Sequence, residues 1–367
     1  MEALNLVAKF FVQTPLNANI TYAEFQAMSF AGRVKAQNWS LELVTSVMVA
    51  SFVGAYILGN WYNTKKANNF FNGLKGVLNE NFAQVGVSPD PKAPQLEKDT
   101  PEQFTGYATG RENIASVAFQ FTLQARQNFL VWFFEFVLSF FFPSIPKPED
   151  TCEITIYPLQ QYDNFIAGIV NKNGMNDHRQ KNFYLSLTTT NDSSLLPVEF
   201  VYMTEVNELA ERITTDKIKN NLFKPLRYVA FTDLPVSKPE EIAYLIPRRR
   251  IVVSVDITSD KAQLAQLSEL LEGLFEVVDG LAANEIKIRP ETLKKIVKTR
   301  DNEVNKIRKL LDEDRELRKQ EEAAQKLREE AEARRRLSPQ EQLKLEKKEQ
   351  EKKRKKMLKK QQQRVRM

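Results

Sequence analysis

The side chains of this chain most able to act through charge lie at its far end. Nine cations, Lys352, Lys353, Arg354, Lys355, Lys356, Lys359, Lys360, Arg364 and Arg366, crowd into the last sixteen residues. Residues 301–367 hold 23 Lys/Arg and 15 Asp/Glu, a net of +8, whereas the whole chain carries +6, which leaves −2 for residues 1–300. A neutral body with a basic end is built to meet a polyanion, because lysine and arginine displace condensed counterions from phosphates. Ribosomal RNA, other nucleic acid or an anionic membrane face would serve, and a merely solubilising terminus is the plain alternative. Within the tail the excess sits late: 12 Lys/Arg against 3 Asp/Glu from Lys344 to Met367.

Covalent chemistry has little to work with. One cysteine, Cys152, leaves no intrachain disulfide, and one histidine, His178, leaves no histidine-rich metal site. No phosphate-cradling glycine loop, C-x-x-C or H-E-x-x-H motif occurs. Asp256 ends a predicted strand, where α/β enzymes often place an acid, but no nucleophile or metal triad accompanies it. The chain therefore reads as a non-enzyme that requires no cofactor and no metal.

The elements that must carry the tail begin with a membrane helix. Leu43 to Gly59 runs 17 residues without a charge, flanked by Trp39 and by Trp61 and Tyr62, whose rings suit the headgroup level. Two cations upstream, Arg33 and Lys35, against Lys65, Lys66 and Lys75 downstream tip the long C-terminal side toward the cytosol. Asn19-Ile-Thr21 is then a glycosylation sequon on the lumenal side, and Asn38-Trp-Ser40 lies too close to the bilayer for modification. A second apolar run, Phe129 to Phe142, is too short to span at about 21 Å and carries Glu135 in its middle. Its aromatic face, Phe129, Trp132, Phe133, Phe136 and Phe140, suits a helix lying at the membrane interface or against a membrane partner. A core helix of the folded domain is an equal alternative.

The expected order is a short lumenal segment (1–38), a transmembrane helix (39–61), and amphipathic helices (62–149) that include the aromatic helix (124–142). A cytosolic domain (150–288), a charged helix (289–337) and a basic terminal helix (338–367) follow. Thr64–Phe82 reads as an amphipathic helix and residues 87–101 as a proline-rich surface loop. Strands are expected at Cys152–Tyr157, Phe183–Thr188, Tyr228–Leu234 and Arg250–Ile257. Helices are expected at Leu159–Val170, Tyr202–Leu222 and Lys261–Ala283, which makes a mixed α/β domain with one transmembrane helix and a long charged helical tail. Arg248-Arg249-Arg250 reads first as a solvated strand edge that blocks aggregation. Ser338-Pro339-Gln340-Glu341 is a capping box that puts a joint in the tail.

Several short segments in order carry a resemblance from Trp39 to the C-terminus: Ala55-Tyr-Ile-Leu-Gly59, Asn81-Phe-Ala-Gln-Val-Gly86, Thr109-Gly-Arg111, Leu196-Pro197 ahead of Met203, and the Glu/Lys-rich end. Together they resemble the calumin family, coiled-coil-domain-containing membrane proteins of the endoplasmic reticulum. The resemblance implies a lumenal N-terminus, a cytosolic C-terminus and a place in the PAT complex with the small membrane partner Asterix. That complex looks like an intramembrane chaperone of the multipass translocon, shielding nascent transmembrane helices. The implied ribosome contact, at ribosomal RNA near the exit tunnel, falls on the nine cations named above. Animal members have a long acidic lumenal segment linked to calcium; residues 1–38 here hold only Glu2 and Glu24 as acids. Two other readings stay open: a membrane-anchored tether whose tail grips anionic lipid, and a calcium-homeostasis protein of the endoplasmic reticulum.

Overall fold

The computed structural model describes residues 20–37, 39–88, 90, 93–142, 147–335, and positions 351, 354, 355 and 357. Two compact units emerge, one of Met1–Lys238 with Ile246–Ile296, the other of Pro239–Leu245 with Val297–Met367.

The first unit begins with two short helices, α1 (Tyr22–Ala27) and α2 (Phe30–Ala36), and then α3 (Ser40–Asn81). At 42 residues α3 is about 63 Å long. It merges the expected transmembrane helix and the expected helix at 64–82 into one rod: no proline interrupts Trp61 to Lys66, and the two residues there that could cap a helix bond elsewhere, Thr64 to the Asn60 carbonyl at 2.8 Å and Asn63 to the carbonyls of Pro101 and Gln124. Its two halves differ in what they touch. Between Leu41 and Tyr62 the large apolar side chains are exposed, whereas Ala67, Phe70, Phe71, Leu74 and Leu78, at helical spacing, are buried.

That buried half lies on a sheet of ten strands among the described residues: β1 (Gln84–Val85), β2 (Glu97–Lys98), β3 (Gln103–Thr109), β4 (Ile114–Thr122), β5 (Thr151–Pro158), β6 (Ala167–Asn171), β7 (Thr189–Asn191), β8 (Phe200–Thr204), β9 (Leu226–Thr232) and β10 (Arg250–Asp256). The order is β1-β3-β4-β5-β10-β9-β6-β8-β7 with β2 beside β3, and every pairing is antiparallel. Helix α4 (Phe129–Phe141) interrupts the chain between β4 and β5. Four short helices follow: α5 (Met175–Lys181), α6 (Phe183–Ser186), α7 (Asn207–Ile213) and α8 (Asp216–Asn220). Last comes α9 (Lys261–Ala282), started by the Asp260 side chain, which accepts from the Ala262 amide at 3.1 Å.

One face of the sheet meets α3 and α9. Phe70 packs edge-on against Phe121 at 5.9 Å, Phe71 against Phe119 at 5.3 Å, and Phe82 of the turn after α3 against Phe275 of α9 at 5.2 Å. Around β6, β9 and β10 the other face is covered too, by Phe183, Tyr184 and Leu185 of α6. Double coverage explains several departures from the sequence reading. Leu159–Val170 is irregular chain leading into fully buried β6, Phe183–Thr188 is a helical turn, and Tyr202–Leu222 is the end of β8 followed by α7 and α8. The segment 62–149 contributes β3 and β4 to the sheet as well as helices. Strand β10 is central, between β5 and β9, so the arginine run before it is no edge: the Arg249 guanidinium lies 5.5 Å from the Tyr162 ring, and Arg250 donates to the Leu234 carbonyl at 2.8 Å.

The second unit is described by itself. Helix α10 (Pro290–Arg335, 46 residues) runs from the first unit into it. There it is held by local ion pairs, Lys306 with Glu303 at 2.6 Å and Arg318 with Asp314 at 3.0 Å, and it exposes Leu310 and Leu317.

A single carboxylate ties α3, the start of α4 and the sheet together. Asp150 stands directly before β5 with a side chain only 6% exposed. Its Oδ2 accepts from Lys66 Nζ of α3 at 2.5 Å and from Arg126 Nη2 at 2.6 Å. Its Oδ1 accepts from Arg126 Nη1 at 2.8 Å and from the Gln124 amide at 3.0 Å. Arg126 Nη1 also donates to Asn63 Oδ1 at 3.0 Å, and Asn63 Nδ2 donates to the carbonyls of Pro101 and Gln124. Close by, Gly59 lets the chain at 126–127 lie against α3: a Cβ there would sit 2.4 Å from the Arg126 carbonyl.

Burial alone would raise the Asp150 carboxyl, but the hydrogen bonds from Arg126, Lys66 and the Gln124 amide outweigh it and hold the group at about 2, below its ordinary 3.8. The folded-state value is the lower one, so the stability it contributes is present above about pH 4 and is lost as pH falls from there toward 2. The shift is equivalent to about 2 kcal/mol. Asp150→Asn should cost about 3 kcal/mol at neutral pH by leaving two cations unpaired, and its deficit should shrink as pH approaches 2. Thermal unfolding of the detergent-solubilised chain across pH checks this, and equal melting temperatures at pH 7 would refute it. Gly59→Ala should lower the melting temperature through backbone overlap. Gly54→Ala, where an added Cβ meets nothing within 4 Å, should be neutral or stabilising by up to about 1 kcal/mol in the same assay.

Candidate membrane and partner surface

From Leu41 to Asn60 helix α3 presents about 30 Å of apolar surface whose large side chains no described residue buries, with only Gly59 packed against the chain at 126–127. It is the one helix among the described residues long and apolar enough to cross a membrane. Its hydroxyls turn inward, Thr45 donating to the Glu42 carbonyl at 3.0 Å and Ser51 to the Met48 carbonyl at 2.7 Å, so that neither asks for water. Where the apolar surface ends, polar groups gather. Trp61 and Tyr62 are exposed, Lys65 Nζ stands 4.8 Å from the Trp61 ring, and Lys98 of β2 donates to the Asn60 side chain.

Helix α4 starts at this level. Asn128 caps it by accepting from the Val131 amide at 3.3 Å, and Trp132 Nε1 donates to Gln124 Oε1 at 3.0 Å. Its aromatic residues stack along the helix rather than into the domain. Phe129 lies 6.1 Å from Phe133, Trp132 5.9 Å from Phe136, and Phe136 5.1 Å from Phe140. Phe129, Phe133, Phe136 and Phe140 are all exposed, Trp132 is half-buried, and no residue of α4 is buried. The alternative of a core helix is thereby excluded. Glu135 and Ser139 are half-buried, on the side away from the most exposed rings. Two uncovered apolar surfaces, one long enough to cross a membrane and one too short, therefore stand on one mount.

The tail is less fully seen. Arg354 and Lys355 are helical and exposed. Lys352, Lys353, Lys356, Lys359, Lys360, Arg364 and Arg366 lie outside the described residues, as do Asn19 and the joint at Ser338. Sequence reasoning missed Asp150, Asn63 and the role of Arg126, counted Lys66 only among the cations that follow the membrane helix, and took Gly59 only as the end of an apolar run. Their spacing gives no local signal, since Lys66 and Asp150 are 84 residues apart.

A cleft of about 860 Å³ opens where α5, the chain before β9, the end of β10 and Ser139 of α4 converge. Its titratable groups are held rather than poised. Arg227 Nε donates to Asp256 at 2.6 Å and its Nη2 donates to Glu149. Burial, with Arg227 and Lys181 adding to it, pushes His178 down to about 4, and its ring packs on Tyr228 at 5.1 Å. The thiol of Cys152, buried in β5, is pushed up by burial, out of the range of a nucleophile.

The family model "PAT complex subunit CCDC47" matches residues 38–356. The chain is 29% identical over 332 residues to an endoplasmic reticulum membrane protein of the UPF0674 group in Saccharomyces cerevisiae, covering 80% of this chain and 81% of that one. With a second UPF0674 endoplasmic reticulum membrane protein, from Schizosaccharomyces pombe, it shares 27% over 287 residues, 73% of this chain and 76% of the relative. The matched residues take in α3, the sheet, α4, α9 and α10, so both apolar surfaces and their mount fall within the shared region. The chain belongs to the family of the PAT complex subunit CCDC47.

Proposed function

We propose that this protein is a non-enzymatic subunit of an intramembrane chaperone complex that serves the insertion and folding of multipass membrane proteins at the endoplasmic reticulum. It crosses that membrane once, with its N-terminus in the lumen and its sheet domain and tail in the cytosol. The observation that carries this reading is the pair of uncovered apolar surfaces on α3 and α4, fixed by one buried carboxylate. Membership of the family agrees with it. On this reading α3 spans the bilayer, and Phe129, Trp132, Phe133, Phe136 and Phe140 meet a membrane partner or the interface. The partners are Asterix, other multipass translocon subunits and nascent transmembrane helices. The basic tail, Lys352, Lys353, Arg354, Lys355, Lys356, Lys359, Lys360, Arg364 and Arg366, docks on ribosomal RNA. Nothing reacts; the protein works by holding a membrane surface and a ribosome at a set spacing.

Replacing the nine tail cations by Ser should weaken co-sedimentation with ribosomes by about tenfold or more at physiological salt and flatten its salt dependence. Unchanged sedimentation would sink the tail assignment, and transfer of the lost binding to anionic liposomes would favour the lipid tether instead. Changing Phe133, Phe136 and Phe140 together to Ser should leave the domain's stability within about 0.5 kcal/mol, since these rings are exposed. The same change should abolish co-purification of the small membrane partner from solubilised membranes. Retained co-purification would remove α4 from the partner surface.

A further inference from the structure

We propose that the cleft beside α4 binds the phosphate of an anionic membrane lipid. Its volume, about 860 Å³, is that of a ligand pocket, and its walls set charged side chains beside apolar ones such as Leu226 and Ile257. Three ammonium groups line it, from Lys147, Lys181 and Lys224, and among the described residues none of the three is in an ion pair with a carboxylate. The lining acids do not cancel them. Glu149 and Asp256 share the one charge of Arg227, so the four cations of the lining exceed its three carboxylates by one, and the three lysines are the groups left without an ion-pair partner among the described residues. Three exposed ammonium groups around a hollow of this volume fit an anionic headgroup, and phosphate accepts several such donors at once.

The position of the cleft selects the source of that phosphate. Ser139, on the half-buried side of α4, forms part of the wall, while Phe140, the next residue, is exposed. Lys147 Nζ stands 5.9 Å from the Phe140 ring, so one cation bridges the aromatic surface and the hollow. A lysine at that boundary runs its stem along apolar surface and carries its charge to the headgroup level. With α4 in the membrane interface, the cleft opens where lipid phosphates lie. The lipid source rests on that reading of α4; the anion site itself rests on the lysines alone.

The test uses the full-length protein in a neutral detergent, with dioctanoyl phosphatidic acid, dioctanoyl phosphatidylcholine and glycerol 3-phosphate as probes. The phosphatidic acid should bind and raise the melting temperature, and the zwitterionic lipid should do neither. Each of Lys147→Ser, Lys181→Ser and Lys224→Ser should weaken binding about fivefold, and the three together on the order of a hundredfold. Ligand-free melting temperatures should not change, because all three side chains are solvent-facing. Asp177→Asn should tighten binding. Equal binding of the two lipids, or unchanged binding by the triple variant, overturns the proposal. Glycerol 3-phosphate binding as tightly as phosphatidic acid overturns the lipid source and assigns the cleft to a soluble phosphate. Because the assay contains neither ribosome nor partner, its failure leaves those assignments standing, and their failure leaves this one standing.

Discussion

Two cations from distant parts of the chain compete for one carboxylate, and the geometry of everything that faces the membrane follows from how Asp150 satisfies both. Lys66 belongs to the helix whose first half is the candidate membrane segment, Arg126 to the turn that begins α4, and Asp150 to the entry of a central strand. Desolvating an ion pair usually offsets its attraction, so the triad need not make the protein more stable than an apolar joint of the same shape. What it adds is direction. Arg126 meets the carboxylate through two parallel donors, a fork that tolerates little rotation, and its Nη1 also donates to Asn63 on α3. An apolar joint could slide by part of a helical turn; this one cannot without leaving a charge unpaired in a buried site.

That restriction matters because α3 is a single rod. A membrane helix joined to a soluble domain by a loop transmits no orientation. Here Phe70, Phe71, Leu74 and Leu78 of the same helix sit in the core against Phe119, Phe121 and α9, so the sheet is pinned to the axis of the membrane segment. At the far side of that core, Arg111 repeats the device on a smaller scale. It donates to the Asn81 side chain at the last turn of α3 and to Asp279 of α9 at 2.7 Å, while its guanidinium lies 5.3 Å from the Phe275 ring. Both ends of the buried half of α3 are thus fastened by arginine.

How much of this the amino-acid order discloses depends on whether the signal is local. The apolar run to Gly59, the β-branched strand Ile251 to Val255 and the capped amphipathic helix after Asp260 can all be read, because each carries its own period and its own boundary. The stretch from Leu159 to Val170 cannot: β6 is buried on both faces, so its apolar residues lose the alternation that marks a strand. Phe183 to Leu187 fails the other way, a β-rich string that folds as a helical turn because its task is to lid the second face. Gln103 to Thr109 mixes strand formers, Phe104, Thr105, Tyr107 and Thr109, with Gly106 in its middle, and β4 pairs with it along six residues. The aromatic residues of α4 were legible as a surface, but the carboxylate that aims them was not, since its partners lie 24 and 84 residues away.

The instability of α4 on its own terms is the strongest internal argument for an external surface. Thirteen residues is near the length at which an isolated helix is marginal in water, and helices this short normally owe their stability to burying one face. This one buries none. Its cap, the Trp132 bond to Gln124 and ring stacking between neighbouring turns supply order but leave four phenylalanines of the ladder exposed. A fold that fixes the first residue of such a helix with a buried ion triad, and then leaves the helix bare, has invested its specificity in presenting apolar surface rather than in hiding it. Nothing among the described residues completes α4, and the polar side of the helix, with Ser139 opening onto a lysine-lined cleft, gives the surface a wet edge as well as an oily face.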